Sequence, residues 1–264
     1  MDDLAFDAAM VASWFTDQPQ GGYLLVSVGD ATTATWMPDI GRIVRRCYIT
    51  DDAISANARR VNLSPNEIIA ARLPNPGPVM SGDFGEILTY LYQSARLPAR
   101  AVIGVKKWRL KQDRTKPAPY SDVVHFVVPH WPRSSPDDAL YCAEVKAKAT
   151  AGTSAPIADA IRDSEKDRVS RLTKTLLWLH ERARTEDLGD PTLELIERFC
   201  NPSDHPLPRR VFRAVAVLCG SVSTAELGDV PGELPAHVSL VVIVVPELQG
   251  VYTAVFEAAK QGAS

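Results

Sequence analysis

The sequence has no long apolar run, little excess charge and few cysteines, and each shortage excludes a class of protein. No stretch of the 264 residues approaches the roughly 20 apolar residues that cross a bilayer. The acidic start, MDDLAFDAAM, also lacks the basic region of a secretory signal. A formal net charge of −3 excludes a uniformly basic coat protein, so any nucleic-acid surface must be local. We therefore expect a cytoplasmic protein that makes no membrane contact.

Familiar catalytic motifs are missing as well. The four cysteines, Cys47, Cys142, Cys200 and Cys219, include no CxxC pair, which argues against a zinc site or a disulfide framework. The sequence contains no GxxxxGK[ST] phosphate loop, GxGxxG fingerprint, HExxH helix or GxSxG elbow. Nucleotide hydrolysis by a phosphate loop, zinc proteolysis and serine-esterase chemistry therefore lose their main support.

What is present is typical of a folded globular protein. Hydrophobic residues make up 45% and charged residues 23% of the chain, which excludes disorder along its whole length. The segment Asn75–Pro78 (NPGP) cannot continue regular structure and predicts a boundary. We expect an N-terminal α/β extension over residues 1–80, interpreted as a partner-docking unit, and a second unit over 81–264.

Apolar patterns predict the elements of both units. In the extension we expect strands at Tyr23–Val28 and Arg42–Ile49, and a helix after the capping box Ser64-Pro65-Asn66-Glu67. In the second unit we expect, in order, a helix from Ser81 to about Ser94, strands at Ala101–Leu110, Asp122–Val128 and Leu140–Lys148, a long helix from Ser154 to about Ala183, a short helix from Asp190, strands at Val211–Cys219 and Val238–Val245, and a helix at Val251–Lys260. This order predicts an α/β fold with a mixed sheet flanked by helices.

The main candidates for an active site lie in the sequence Glu144-Val145-Lys146. Alternate residues of a strand share a face, so Glu144 and Lys146 lie together while Val145 points the other way. A β-hairpin can bring Asp122, at the head of the preceding strand, beside Glu144. Glu86, on the helix before these strands, is a further candidate for the same site.

Clustered carboxylates repel one another unless a cation lies between them. Mg²⁺ takes oxygen ligands and keeps several waters, so two or three carboxylates suffice to hold it. A lysine beside the metal can orient or deprotonate an attacking water, an arrangement suited to phosphodiester hydrolysis. The alternative for Glu144 and Lys146 is a surface salt bridge that contributes little energy.

Asp122, a 21-residue gap and Glu144-x-Lys146 resemble the D-x(n)-(D/E)xK motif of the restriction-endonuclease-like nuclease superfamily. The predicted helix, three strands, long helix and strand also resemble that superfamily's αβββαβ core, over about residues 81–219. The resemblance implies a DNA nuclease using Mg²⁺ or Mn²⁺. Its ligands would be Asp122, Glu144 and the Val145 carbonyl, with Lys146 catalytic and Glu86 completing the site. Ser121 stands where a proline often precedes the aspartate.

A narrower resemblance is to the HamA family, the nuclease subunits of the Hachiman anti-phage defence system. It is carried by Gly85-Glu86, by the segments Ser121–Phe126 (SDVVHF) and Ala143–Lys146 (AEVK), and by Ile161–Leu179. This resemblance implies a DNA-cleaving effector that works with a superfamily 2 helicase, HamB. A restriction or repair nuclease without a helicase, or a non-catalytic subunit that binds DNA or the helicase, is the alternative.

A local excess of basic residues supplies candidate DNA contacts. Between Arg96 and Lys116, eight lysines and arginines are opposed by Asp113 alone. A basic strand and loop beside acidic chemistry could hold phosphates, although a solvated hairpin is an equal alternative. The candidate DNA-binding residues are Lys106, Lys107, Arg109, Lys111 and Lys148. The charged residues of the long helix, including Asp163 and Asp167, are interpreted as its solvated face or a partner surface, and contact with the site is the alternative.

Overall fold

A computed structural model describes residues 3–98, 101–201 and 203–261, and these form an α/β fold around a seven-stranded mixed sheet. The strands are β1 (Thr16–Pro19), β2 (Tyr23–Ser27), β3 (Val102–Gly104), β4 (Val123–Val127), β5 (Ala139–Lys148), β6 (Arg209–Cys219) and β7 (Val238–Val245). The helices are α1 (Ala8–Ser13), α2 (Asp30–Thr35), α3 (Met37–Tyr48), α4 (Asp51–Arg60), α5 (Pro65–Ala70), α6 (Pro78–Arg96), α7 (Pro156–Lys166), α8 (Leu172–Ala183), α9 (Leu193–Cys200), α10 (Gly220–Leu227) and α11 (Leu248–Gln261). No helix within these ranges is both long enough and apolar enough to cross a bilayer.

The sheet order is β1-β2-β7-β6-β5-β4-β3. Strands β3, β4 and β5 run antiparallel as a meander, whereas β5, β6, β7 and β2 are parallel. The parallel step from β5 to β6 is made through α7, α8 and α9, which form the crossover that such a pair needs. The expected order of helix, three strands, long helix and strand is therefore present from α6 to β6.

The central strands are buried on both faces, which explains their continuous apolar sequences. On β6, Val215 and Val217 belong to the core cluster beneath α6, whereas Ala214, Ala216 and Leu218 belong to the cluster beneath α7. Helices α6 and α7 thus cover opposite faces of the sheet, and this separation decides which side chains can meet at the site.

The predicted strand Arg42–Ile49 is wrong, because these residues lie in helix α3. Its buried residues, Ile40, Ile43, Val44 and Cys47, recur at helical spacing and pack with α11. Gly41 permits the close approach of the two helices, since a Cβ atom there would lie 2.9 Å from the Cβ of Ala258. A short β-branched stretch cannot be told from a buried helix face by pattern alone.

Other boundaries differ from the predicted ones in informative ways. The strand expected over Ala101–Leu110 covers only Val102–Gly104, and Lys107–Leu110 form a 3-10 helix. Helix α6 begins at Pro78 after Gly77, whose φ of +138° favours glycine, so Ser81 lies inside the helix. The capping box of Ser64 and Glu67 is confirmed. The long helix is also confirmed, but a π-helical turn, Asp167–Arg171, divides α7 from α8.

The sheet and the largest core cluster continue across the predicted boundary at residue 80. Strand β2 pairs with β7, and helix α3 packs against α11. Residues 1–80 therefore supply structure that the rest of the chain uses, and their docking role stays a prediction. Deleting them would expose the core between α3 and α11, so a truncation is a poor test of docking.

His125 is a buried histidine held by two polar neighbours from α6. Its Nδ1 lies 3.0 Å from Gln93 Nε2, which must donate, and its Nε2 lies 2.7 Å from Ser94 Oγ. The ring of Tyr90 packs against it at 4.5 Å. Burial, together with the charges of Lys106 and Arg213, lowers the pKa of His125 to about 3. The imidazole is therefore neutral in the folded protein.

This pKa predicts a pH-dependent contribution to stability. Between pH 6.5 and about 3 the unfolded chain binds a proton at His125 that the folded chain excludes. The free energy of unfolding therefore decreases as the pH falls through this range. His125→Gln removes this pH-dependent contribution. We expect the variant to be less stable at pH 7, and its deficit relative to wild type to shrink by up to about 1.4 kcal/mol per pH unit below pH 6.5. Urea unfolding of both proteins from pH 7 to 5 measures this, and a constant deficit would contradict it.

Candidate active site

The hairpin of β4 and β5 places Asp122 beside Glu144. Val123 pairs with Ala143 in the antiparallel register, so the preceding Asp122 lies opposite Glu144. The Asp122 Oδ2 atom accepts a hydrogen bond of 2.8 Å from the Val145 amide. One carboxylate is therefore fixed to the backbone of the strand that carries the other.

Glu144 is almost completely buried, with 2% of its side chain exposed. Its Oε1 atom accepts a hydrogen bond of 2.7 Å from Lys146 Nζ, and Oε2 accepts one from Arg171. Burial and the negative charge of Asp122 raise the pKa of Glu144 to about 7, although Lys146 opposes the shift. The site thus keeps a carboxylate whose charge depends on nearby cations.

Lys146 connects β5 to helix α7. Its ammonium lies 2.7 Å from Glu144 Oε1 and 2.9 Å from Asp163 Oδ2. Burial alone would lower the pKa of Lys146, but Glu144 and Asp163 raise it above its ordinary value. Lys146 is therefore charged at neutral pH.

Glu86 lies on the other face of the sheet. It belongs to α6, which packs against the side of β5 that carries Val145, because the neighbouring Gly85 lies against Val145 and Ala147. Glu86 Oε2 accepts a hydrogen bond of 3.0 Å from the Trp108 indole. Burial raises the pKa of Glu86 to about 8, with a further contribution from Asp122.

Lys107 lies between the two faces. Its ammonium is 3.4 Å from both Glu86 Oε2 and Asp122 Oδ1, and it donates a hydrogen bond of 3.0 Å to the Ser121 carbonyl. Burial would lower the pKa of Lys107, but the facing carboxylates raise it. Lys107 therefore joins Glu86 to Asp122, whereas Glu144 meets Asp122 from the opposite face.

The predicted set of three carboxylate ligands is not brought together. No three Asp, Glu, His or Cys side chains of the described ranges lie close enough to hold one ion. Asp122, which is partly buried, and Glu144, which is buried, remain as a mutually repelling pair, and two carboxylates with water satisfy Mg²⁺. The donor set therefore fits a divalent cation at this pair, with Glu86 outside its immediate reach.

Every polar atom of Ser121, the residue before Asp122, is held in place. Its amide donates to Thr175 Oγ1 at 3.2 Å, its carbonyl accepts from Lys107, and its hydroxyl donates to Asp167 Oδ1 at 2.9 Å. We call these three hydrogen bonds the Ser121 clamp. The preceding Tyr120 has a φ of +66°, an uncommon conformation for a residue other than glycine. Hydrogen bonds thus fix the backbone at the position where the nuclease superfamily often has proline.

Sequence reasoning missed Asp167 and Arg171, which the π-helical turn directs towards the site. Arg171 contacts Glu144, and Asp167 is buried, with its Oδ2 atom making no hydrogen bond. Burial raises the pKa of Asp167 to about 6, and the charge of Asp122 adds to the shift. π-Helical turns are frequent at functional sites, but nothing in a continuous helical pattern marks one.

The candidate DNA-binding residues face inward. Lys106 pairs with Asp3, Lys107 contacts Glu86 and Asp122, Arg109 donates to the Arg46 carbonyl, Lys111 pairs with Asp83, and Lys148 pairs with Glu226. Their side chains are mostly buried and already bound, so the geometry lends no support to phosphate contacts by this set.

These features define an α/β domain whose hairpin presents two carboxylates and a lysine, with a long interrupted helix beside them. The family model described as HamA matches residues 16–259, which is nearly the whole chain. The chain therefore belongs to the HamA family and is a component of Hachiman anti-phage defence. A search of curated proteins found no match.

The Ser121 clamp predicts a measurable contribution to stability. Ser121→Ala removes the hydroxyl that donates to buried Asp167, and we expect a loss of about 1 to 3 kcal/mol in the free energy of unfolding. Ser55→Ala, on the exposed face of α4, is the matched control and should change stability by less than about 0.5 kcal/mol. Chemical denaturation of the three proteins compares them, and equal losses would contradict the clamp.

Proposed function

We propose that this protein is a metal-dependent DNA nuclease, the effector of a defence complex with a helicase. The observation that carries the proposal is the placement of Asp122, Glu144 and Lys146 at one end of the β4–β5 hairpin. Paired carboxylates beside a charged lysine suit hydrolysis of a phosphodiester, because a cation and an ammonium can share the charge of the reacting phosphate.

Asp122 and Glu144 would hold Mg²⁺ or Mn²⁺ in this proposal. The bound ion would supply Lewis-acid activation of the phosphate and of a water. The Val145 carbonyl lies on the same strand and stays a proposed ligand. Glu86 contacts Asp122 through Lys107, so its contribution would be to set the charge around Asp122.

The raised pKa of Lys146 favours one of its two candidate roles. A lysine held by Glu144 and Asp163 keeps its proton at neutral pH and cannot accept one from water. Lys146 would instead donate hydrogen bonds to the attacking water or to a phosphate oxygen. Arg171, on the other oxygen of Glu144, would keep that carboxylate ionised and oriented.

The helicase partner is proposed from the family rather than from the site. HamA membership places the chain in a defence system, and a superfamily 2 helicase of the HamB kind is the proposed partner. Such a partner would explain how a nuclease is held in check until aberrant or phage DNA is sensed.

A non-catalytic DNA- or helicase-binding subunit is the alternative from another class. Lys106, Lys111 and Lys148 pair with carboxylates inside the protein, which argues against a DNA-binding surface formed by these residues. Sensitivity to EDTA separates the two functions, because a pure binding module needs no metal for its task.

Cleavage of plasmid DNA tests the proposal. With Mg²⁺ or Mn²⁺, alone and with a candidate partner helicase, we expect wild type to cut and EDTA to abolish cutting. Lys146→Ala and Glu144→Gln should each reduce the rate by at least about a hundredfold, because each removes a group that bears charge in the reaction. Gel electrophoresis over time measures the rates.

The matched control is Lys116→Ala, which removes an exposed lysine in a surface pair with Asp113 and should leave the rate unchanged. Circular dichroism establishes that each variant is folded. Variants that are folded and cut as fast as wild type would refute the assignment of the site.

A further inference from the structure

The site meets solvent along helix α7. Glu86 and Glu144 are buried, whereas 31% of the Lys146 side chain is exposed. Lys146 also contacts Asp163 on α7, so the exposed side of the lysine borders that helix. A phosphodiester that reaches Lys146 must therefore approach past α7.

Asp163 gathers three cations at this opening. Its carboxylate lies 2.9 Å from Lys146 Nζ, 2.6 Å from Lys166 Nζ and 3.3 Å from Arg162 Nε. The side chains of Arg162 and Lys166 are 62% and 56% exposed. We call Arg162 and Lys166 the α7 rim.

The pairs of the α7 rim add little to stability, since exposed ion pairs contribute about 0 to 1 kcal/mol. Arg162 also pairs with Asp159 at 2.7 Å, and Lys146 pairs with Glu144, so the three cations here face three carboxylates. The two exposed cations of the rim lie beside the exposed part of the Lys146 side chain. Exposed and weakly paired cations beside that lysine suit polyanion binding better than they suit folding.

We propose that Arg162 and Lys166 bind backbone phosphates of the substrate DNA that flank the phosphate at Lys146. This inference rests on the proposed function and names its substrate contacts. The two residues are four positions apart, so they share a helix face and are separated by about 6 Å along the axis. Successive phosphates of one DNA strand advance by about 3.4 Å, so the rim spans about two nucleotides.

The α7 rim differs from the basic segment that the sequence favours. Lys106, Lys107 and Lys111 of that segment are buried and bound to carboxylates, whereas the rim residues are exposed and adjoin the site. An exposed cation in a weak ion pair can exchange its partner for a phosphate at small cost. A buried one would first have to leave a carboxylate uncompensated.

The salt dependence of DNA binding tests the proposal. Binding of the full chain to a short duplex, with EDTA to prevent cleavage, is measured by fluorescence anisotropy over a range of salt concentrations. Arg162→Ala and Lys166→Ala should each weaken binding and reduce the slope of log affinity against log salt by about 0.9. Arg42→Ala is the matched control, since Arg42 is 46% exposed and pairs with Asp39 at the same helical spacing.

Asp163→Asn supplies a result of opposite sign. It removes a negative charge from the opening, so we expect DNA to bind a few-fold more tightly. A general loss of helix structure would instead weaken binding in Asp163→Asn as well as in the two rim variants. Tighter binding by Asp163→Asn together with weaker binding by the two alanine variants supports the proposal.

The inference is overturned if the rim variants bind with the affinity and salt slope of wild type, or if wild type does not bind the duplex. Because this assay contains no metal, its outcome is independent of cleavage. Rim-dependent binding by a protein that never cuts would refute the nuclease and leave the α7 rim in place. If the rim variants bind and cleave DNA as wild type does, the role of the α7 rim is refuted and the proposed nuclease function is kept.

Discussion

Repulsion between the carboxylates of partly buried Asp122 and buried Glu144 is the constraint on which the site depends. The hairpin register forces them together, and the Val145 amide satisfies only one oxygen of Asp122. The protein compensates with cations from three separate elements. They are Lys107 of the 3-10 helix, Lys146 of β5 and Arg171 of the π-helical turn. Much of the local architecture can be understood as the means of placing these three positive charges.

The π-helical turn is part of that arrangement. An extra residue in one turn shifts the helix face, and Asp167 and Arg171 both reach the site from it. Asp167 in the turn and Thr175 in α8 form hydrogen bonds with Ser121 and so fix the backbone that leads to Asp122. The same helix therefore orients one carboxylate through its neighbour and neutralises the other directly.

Local rules predicted the core of this site well. Alternation along a strand placed Glu144 and Lys146 on one face, and the antiparallel pairing placed Asp122 opposite them. The strand predicted at Arg42–Ile49 is wrong because the helix there is stabilised by packing against α11, a tertiary contact that a stretch of eight residues does not reveal. The DNA contacts expected of the basic segment stay a prediction that the inward contacts do not support, for a similar reason. Lys106 and Lys111 pair with carboxylates distant in sequence, Asp3 and Asp83, and charge counting cannot find such partners.

The two faces of the sheet explain why the candidate carboxylates do not form one cluster. Helices α6 and α7 cover opposite faces, so Glu86 and Glu144 approach Asp122 from different sides. Asp122, at the end of its strand, is the one carboxylate that both faces reach. Lys107 meets it from the α6 side, and Glu144 with its two cations meets it from the α7 side. Substrate would then enter from the α7 side, where Lys146 is exposed, while the α6 side stays closed and sets the charge of Asp122.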